Sequence, residues 1–92
     1  SITRGKHAHK LCSQILICSY GSINVKCTDG NDNIEYLLDQ PDRGLLVPPG
    51  IWCEQHYIDP DSQLTVLCDE LYDEDDYIRD YDDFIINNYN QK

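Results

Sequence analysis

Apolar and polar residues alternate along most of this chain. Ile23, Val25 and Cys27 are separated by Asn24, Lys26 and Thr28, a period of two that belongs to a half-buried strand. Residues 14–20 form a denser apolar run rich in β-branched side chains, closed by Gly21-Ser22. Further strands are expected at 6–10, 34–38, 45–47 and 51–58. Leu64, Val66 and Cys68 form the last alternating run. Between them lie turn residues: Asp29-Gly30-Asn31-Asp32-Asn33, then 39–44, Pro48-Pro49-Gly50 and Asp59-Pro60-Asp61-Ser62. Seven short strands with turn signals about every 8–12 residues point to an all-β sandwich or barrel; a jelly roll has about eight.

From Tyr72 onward the period changes. Tyr77, Tyr81, Ile85 and Tyr89 recur every fourth residue, with Ile78 and Phe84 beside them, so 72–89 is expected to be a terminal helical segment. The acids 73–76 would sit at its start, where carboxylates suit a helix N-terminus, and the acidic run reads as its wet face. The tyrosine stripe reads as packing, and Arg79 as an ion-pair partner within the run.

Length bounds this to one small domain over residues 1–92. The chain opens at Ser1 and has no Met, so it reads as a fragment, a processed chain or the ordered part of something longer. No apolar run approaches the ~18–20 residues of a membrane span. The net charge of −10, from 7 Lys and Arg against 17 Asp and Glu, excludes a nucleic-acid-wrapping surface. The cations Arg4, Lys6, Lys10 and Lys26 nevertheless lie in the first third, as a basic mouth for a phosphorylated ligand would require. The five cysteines include no CxxC pair and mostly fall at strand-like apolar positions. They read as free buried thiols in a reducing cytoplasm.

Candidate chemistry concentrates in Arg4-Gly5-Lys6-His7-Ala8-His9-Lys10. On a strand, His7 and His9 share one face, roughly 6–7 Å apart. Two imidazoles on one wall can bind a metal or carry protons near neutral pH. Lone His56, beyond the proline turn, reads as a surface residue.

The spacing carries a resemblance. His7-Ala8-His9, four residues, Gln14, six residues and Gly21 resemble the first cupin motif, H-x-H-x(3,4)-E-x(6)-G. Pro48-Pro49-Gly50-Ile51-Trp52-Cys53 resembles the second, P-x-G-x-x-H. In metal-binding cupins the two His, the Glu and the later His hold the ion. Gln14 and Cys53 stand at two of those four places, and an amide is a poorer ligand than a carboxylate. Cys53 would serve as a thiolate only with a lowered pKa.

A closer resemblance spans nearly the whole chain. The heptapeptide with Gln14, the turn 47–52, and Tyr72-Asp73-Glu74-Asp75-Asp76-Tyr77-Ile78-Arg79-Asp80-Tyr81-Asp82-Asp83-Phe84 resemble the WxcM-like cupins, the dTDP-sugar 3,4-ketoisomerases. That resemblance implies a cupin jelly roll (double-stranded β-helix) with a short C-terminal helix, and with the family's N-terminal strands missing. It implies a cytoplasmic bacterial isomerase that moves a keto group between C4 and C3 of a dTDP-4-keto-6-deoxyhexose, for surface polysaccharides. It implies no metal or cofactor, and a homodimer with exchanged N-terminal strands. One of His7 and His9 would handle the carbon proton, with His7 favoured, and the other the oxygen proton. Arg4, Gln14 and Trp52 are the candidates for substrate contact, Trp52 being open also to a packing role. The competing readings are a metal-dependent cupin enzyme and a non-catalytic sugar-nucleotide-binding cupin module.

Overall fold

The computed structural model describes residues 2–90, and of the last three only the backbone. Eight strands and one helix follow in chain order: β1 Ile2–His9, β2 Gln14–Tyr20, β3 Ile23–Thr28, β4 Asn33–Leu38, β5 Gly44–Val47, β6 Trp52–Tyr57, β7 Gln63–Cys68, β8 Tyr77–Ile78 and α1 Tyr81–Asn90. All pair antiparallel in two sheets, one ordered β4-β3-β6-β1-β8 and the other β5-β2-β7. This is the expected all-β jelly-roll architecture with a short terminal helix. Among the described residues no helix is long and apolar enough to cross a membrane.

The period of two does the work anticipated. Leu16 and Cys18 of β2 and Ile23 and Val25 of β3 turn inward and meet Leu38, Val47 and Cys53 between the sheets. Burying such a side chain stabilises by about 1.5–3 kcal/mol each. Local chemistry sets the turns. Asp29 Oδ1 accepts from the N–H groups of Asn31 and Asp32, both at 2.8 Å. Ser62 Oγ accepts from Ser22 N–H at 2.9 Å and donates to the Ser22 carbonyl at 3.0 Å, so two loops are clamped and a buried hydroxyl is satisfied. Gly21 lies against Ser62 with φ +84°, where a side chain would collide.

β7 departs from the expected burial. Its alternating residues Leu64, Val66 and Cys68 face the interior yet stay half-buried or exposed, because β7 is the edge strand of the three-stranded sheet; on that sheet's opposite face Leu46, Ile15 and Leu67 form an uncovered row.

The terminal segment differs most. A helix over 72–89 is expected, yet α1 begins only at Tyr81. Ahead of it, Glu74–Asp76 forms a single 3-10 turn capped by Asp73, and β8 pairs with the end of β1, Ile78 opposite Ala8 and Tyr77 opposite His9. Asp80 then caps α1: its Oδ1 accepts from Asp82 N–H at 2.8 Å and Asp83 N–H at 3.2 Å. Strand pairing with β1 outweighed the local helical period. Of the tyrosine stripe, the Tyr89 side chain lies outside the described residues.

Candidate functional site

β1 is covered differently on its two faces. Ala8 points outward and packs with Trp52, Ile78 and Phe84 beneath α1. His7 and His9 point the other way, their rings 5.0 Å apart and edge to face. His7 stands opposite Cys53 across the β1–β6 ladder, on the core side of the five-stranded sheet.

A bulge places Arg4 on the same side. Arg4 pairs with Gln55 and His7 with Cys53, so three steps along β1 match two along β6. Simple alternation would put residues 4 and 7 on opposite faces. Gly5, at φ +65°, takes up the extra residue, and a Cβ there would lie 2.7 Å from the Gln55 side chain. The Arg4 guanidinium sits 5.7 Å from the Tyr57 ring.

His9 is buried and its Nδ1 lies 2.9 Å from Asp76 Oδ2. Asp76 also accepts from the N–H groups of Leu11, at 2.7 Å, and Cys12, at 3.2 Å. Burial opposes charge on Asp76, but the hydrogen bonds from His9, Leu11 and Cys12 together hold its carboxyl below the ordinary range. The Tyr77 ring packs against both imidazoles, tilted against His9 at 4.3 Å between centroids and edge to face with His7 at 5.1 Å. Arg79 covers Tyr77 from 4.3 Å and forks onto Glu74 at 2.7 and 3.0 Å. Tyr72 donates to the same Glu74 carboxylate. A cavity of about 100 Å³ beside His9 is lined by Cys12, Cys68, Tyr72, Asp76 and Tyr77. A wider hollow of about 260 Å³, lined by Cys27, Ile34, Tyr36, Leu45 and Val47, contains none of the five candidates Arg4, His7, His9, Gln14 and Trp52.

Burial lowers the pKa of His7 to about 4, helped by repulsion from His9 in its protonated form and from Arg79. At neutral pH His7 is therefore an uncharged imidazole, able to take up a proton.

Gln14 is interior but reaches it from the other sheet. β1 and β2 do not form a hairpin: β1 pairs with β6 and β8, and β2 with β5 and β7. The Gln14 side chain is buried and donates to Cys68 Sγ at 3.5 Å.

Trp52 is not brought to the site. It stands on the outer face, 4% exposed, with its ring 5.3 Å from Tyr81 and 5.7 Å from Phe84 and its indole N–H bonded to Glu54 at 3.1 Å. The cations are divided as well. Lys26 pairs with Glu35 at 3.7 Å, and Lys6 lines an open groove with Trp52, Glu54 and Asp80, so neither joins Arg4 in a basic mouth. His56 meets Thr3 across the ladder at 3.3 Å, in an exposed pairing.

Cys53 is no thiolate. Its Sγ lies 3.3 Å from Cys27 Sγ, and that hydrogen bond, together with burial, pushes the Cys53 thiol up while lowering Cys27. Among the described residues no three His, Cys, Asp or Glu side chains are grouped to hold a metal ion. All five cysteines are free, with Cys68 exposed and Cys27 half-buried.

Three residues of the site escape a reading of the sequence. Asp76 and Tyr77 lie in the stretch taken for a helix with an acidic wet face, and Arg79 is an ion-pair partner, as expected, but also covers Tyr77. The available signal was the resemblance of the tail itself, which is no general cupin feature; nothing in its acid count singles out Asp76.

Residues 1–89 match the family described as FdtA: WxcM-like, C-terminal. The TDP-4-oxo-6-deoxy-alpha-D-glucose-3,4-oxoisomerase of Aneurinibacillus thermoaerophilus is 48% identical over 81 residues, 88% of this chain but 58% of that protein. A 3,4-ketoisomerase from Helicobacter canadensis superposes with TM-score 0.93 at 35% identity, covering 97% of this chain and 67% of its own. A variant of the 3,4-ketoisomerase QdtA from Thermoanaerobacterium thermosaccharolyticum, in complex with TDP-4-keto-6-deoxyglucose, superposes with TM-score 0.93 at 36% identity, covering 99% of this chain and 66% of its own. The chain thus spans about three-fifths to two-thirds of the length of these relatives.

Proposed function

This chain belongs to the FdtA family of WxcM-like C-terminal domains, and from that premise we propose that it isomerises a TDP-linked 4-keto-6-deoxyhexose to the 3-keto sugar. The observation that carries the reading is the His7–His9 pair, two imidazoles 5.0 Å apart on one interior wall.

The reaction moves two protons and no net electrons. A base removes the proton from C3, beside the C4 ketone, and an enediol-type intermediate forms. The C3 hydroxyl proton crosses to the former C4 carbonyl oxygen and a proton is delivered to C4, leaving a ketone at C3. His7, uncharged at neutral pH because it is buried, takes the carbon proton. His9 carries the oxygen proton. Each such group contributes on the order of 10²–10⁴-fold. Arg4, brought to the same face by the Gly5 bulge, holds the anionic part of the substrate. Gln14 offers an interior amide to a sugar hydroxyl from the facing sheet. Trp52 holds β1 from behind rather than touching the sugar.

The reading extends to a homodimer with exchanged N-terminal strands, working in the bacterial cytoplasm on deoxysugars for surface polysaccharides. The uncovered row Leu46, Ile15 and Leu67 on the three-stranded sheet supports a protein surface seated there.

The test is to incubate the protein with TDP-4-keto-6-deoxyglucose in heavy water and follow the sugar by NMR. Deuterium entering at the reacting carbons with a 3-keto product is expected. Binding without exchange would reduce the protein to a sugar-nucleotide-binding module.

A further inference from the structure

Asp76 is one of seven acids between residues 73 and 83, and the structure turns it inward, its side chain 11% exposed. β8 and the preceding 3-10 turn put it there. Tyr77 is locked opposite His9, and Lys10 N–H donates to the Asp76 carbonyl at 3.0 Å, so the carboxyl is held in register with the imidazole.

The hydrogen-bond inventory then assigns a proton. Three donors converge on the Asp76 carboxyl: Leu11 N–H, Cys12 N–H and His9 Nδ1. An ionised carboxylate only accepts, so Nδ1 must carry a hydrogen. A neutral imidazole has one such hydrogen, which leaves Nε2 with a bare lone pair. His9 Nε2 is buried and has no hydrogen-bond partner among the described residues. A buried acceptor without a donor is costly and calls for a partner that arrives with the ligand.

We infer that Asp76 is a positioning residue: it fixes His9 with the hydrogen on Nδ1, leaving Nε2 as the nitrogen that accepts and returns the substrate's oxygen proton. The inference rests on the isomerase reading of the histidine pair for the identity of that proton, and on geometry alone for the tautomer. When Nε2 takes the hydroxyl proton the imidazole becomes a cation, and the carboxylate 2.9 Å from Nδ1 stabilises it until the proton is passed on. One nitrogen does both halves of the transfer because the other is permanently occupied.

The test uses the whole protein with ¹⁵N-labelled histidine, of which there are three residues, His7, His9 and His56. Long-range proton–nitrogen NMR at neutral pH is expected to show His9 protonated at Nδ1. Asp76→Asn keeps the shape but turns an amide N–H₂ toward Nδ1. It should move the hydrogen to Nε2 and lower kcat about 100-fold, with KM changed less than about 3-fold. Asp76→Glu keeps the carboxylate and should restore the native tautomer and part of kcat. Native His9 protonated at Nε2, or an Asp76→Asn protein with unchanged tautomer and kcat, would overturn the inference. A fall in thermal stability with the tautomer intact would also overturn it, reducing Asp76 to an anchor for the Leu11–Cys12 turn. If the native tautomer is as inferred and no keto migration is found, the positioning role of Asp76 stands and the isomerase reading alone fails.

Discussion

Three consecutive residues of β1 live in two different environments. Ala8 is closed into an apolar cluster with Trp52, Ile78 and Phe84, held by packing, with the one polar group, the Trp52 indole N–H, bonded to Glu54. His7 and His9, on the other face, sit among Tyr77, Asp76 and Arg79, where the balance is electrostatic and one buried nitrogen is left without a partner. The strand is thus held rigid from one side so that the other can carry chemistry. The two faces should therefore fail in different ways: changes under α1 should cost stability, and changes facing the interior should cost turnover.

The largest expected effect is on the imidazole face. His7→Asn or His9→Asn should lower kcat for keto migration by 10²–10⁴-fold while the melting temperature moves by no more than a few degrees. Unchanged turnover in both variants would remove the proton-transfer reading. Next comes the packed face. Phe84, fully buried, should cost about 3–5 kcal/mol when cut to Ala, measured by denaturant unfolding, with kcat per folded molecule retained. If Phe84→Ala instead abolishes turnover without loss of stability, the division between the faces is wrong.

A pH effect links the faces. The pKa of His7 is lower folded than unfolded, so between about 6.5 and about 4 the unfolded chain binds a proton that the folded one does not. That contribution to stability is full above about 6.5 and is lost as pH falls toward 4. Denaturation at several pH values should show the slope in this window, and His7→Asn should flatten it. The acidic limb of kcat/KM should likewise fall near 4 rather than near 6.5. The smallest effect belongs to Trp52→Phe, which keeps an aromatic under α1: kcat/KM should change less than about 3-fold. A larger rise in KM would return Trp52 to its place among the candidates for substrate contact.

Much of this was legible along the chain. Seven of the eight strands lie where alternation and turn residues put them, and His7 and His9 share a face because a period of two is a property of any strand. The substitution of Gln14 and Cys53 into a cupin spacing was equally local. Other features were not. Alternation alone sets Arg4 against His7; the Gly5 bulge, created by pairing with β6, reunites them. Trp52 and Cys53 are neighbours in sequence and differ in fate, one under the helix and the other toward the core, and pairing with β1 and β3 chose which. Asp76 bonds an imidazole 67 residues away, in a segment whose own four-residue period argued for helix. Periodicity and turn chemistry act between neighbours, so they can be read one residue after another. Which face looks into the site, and which of seven acids meets a histidine, depends on strands meeting across the fold, an arrangement that no local pattern contains.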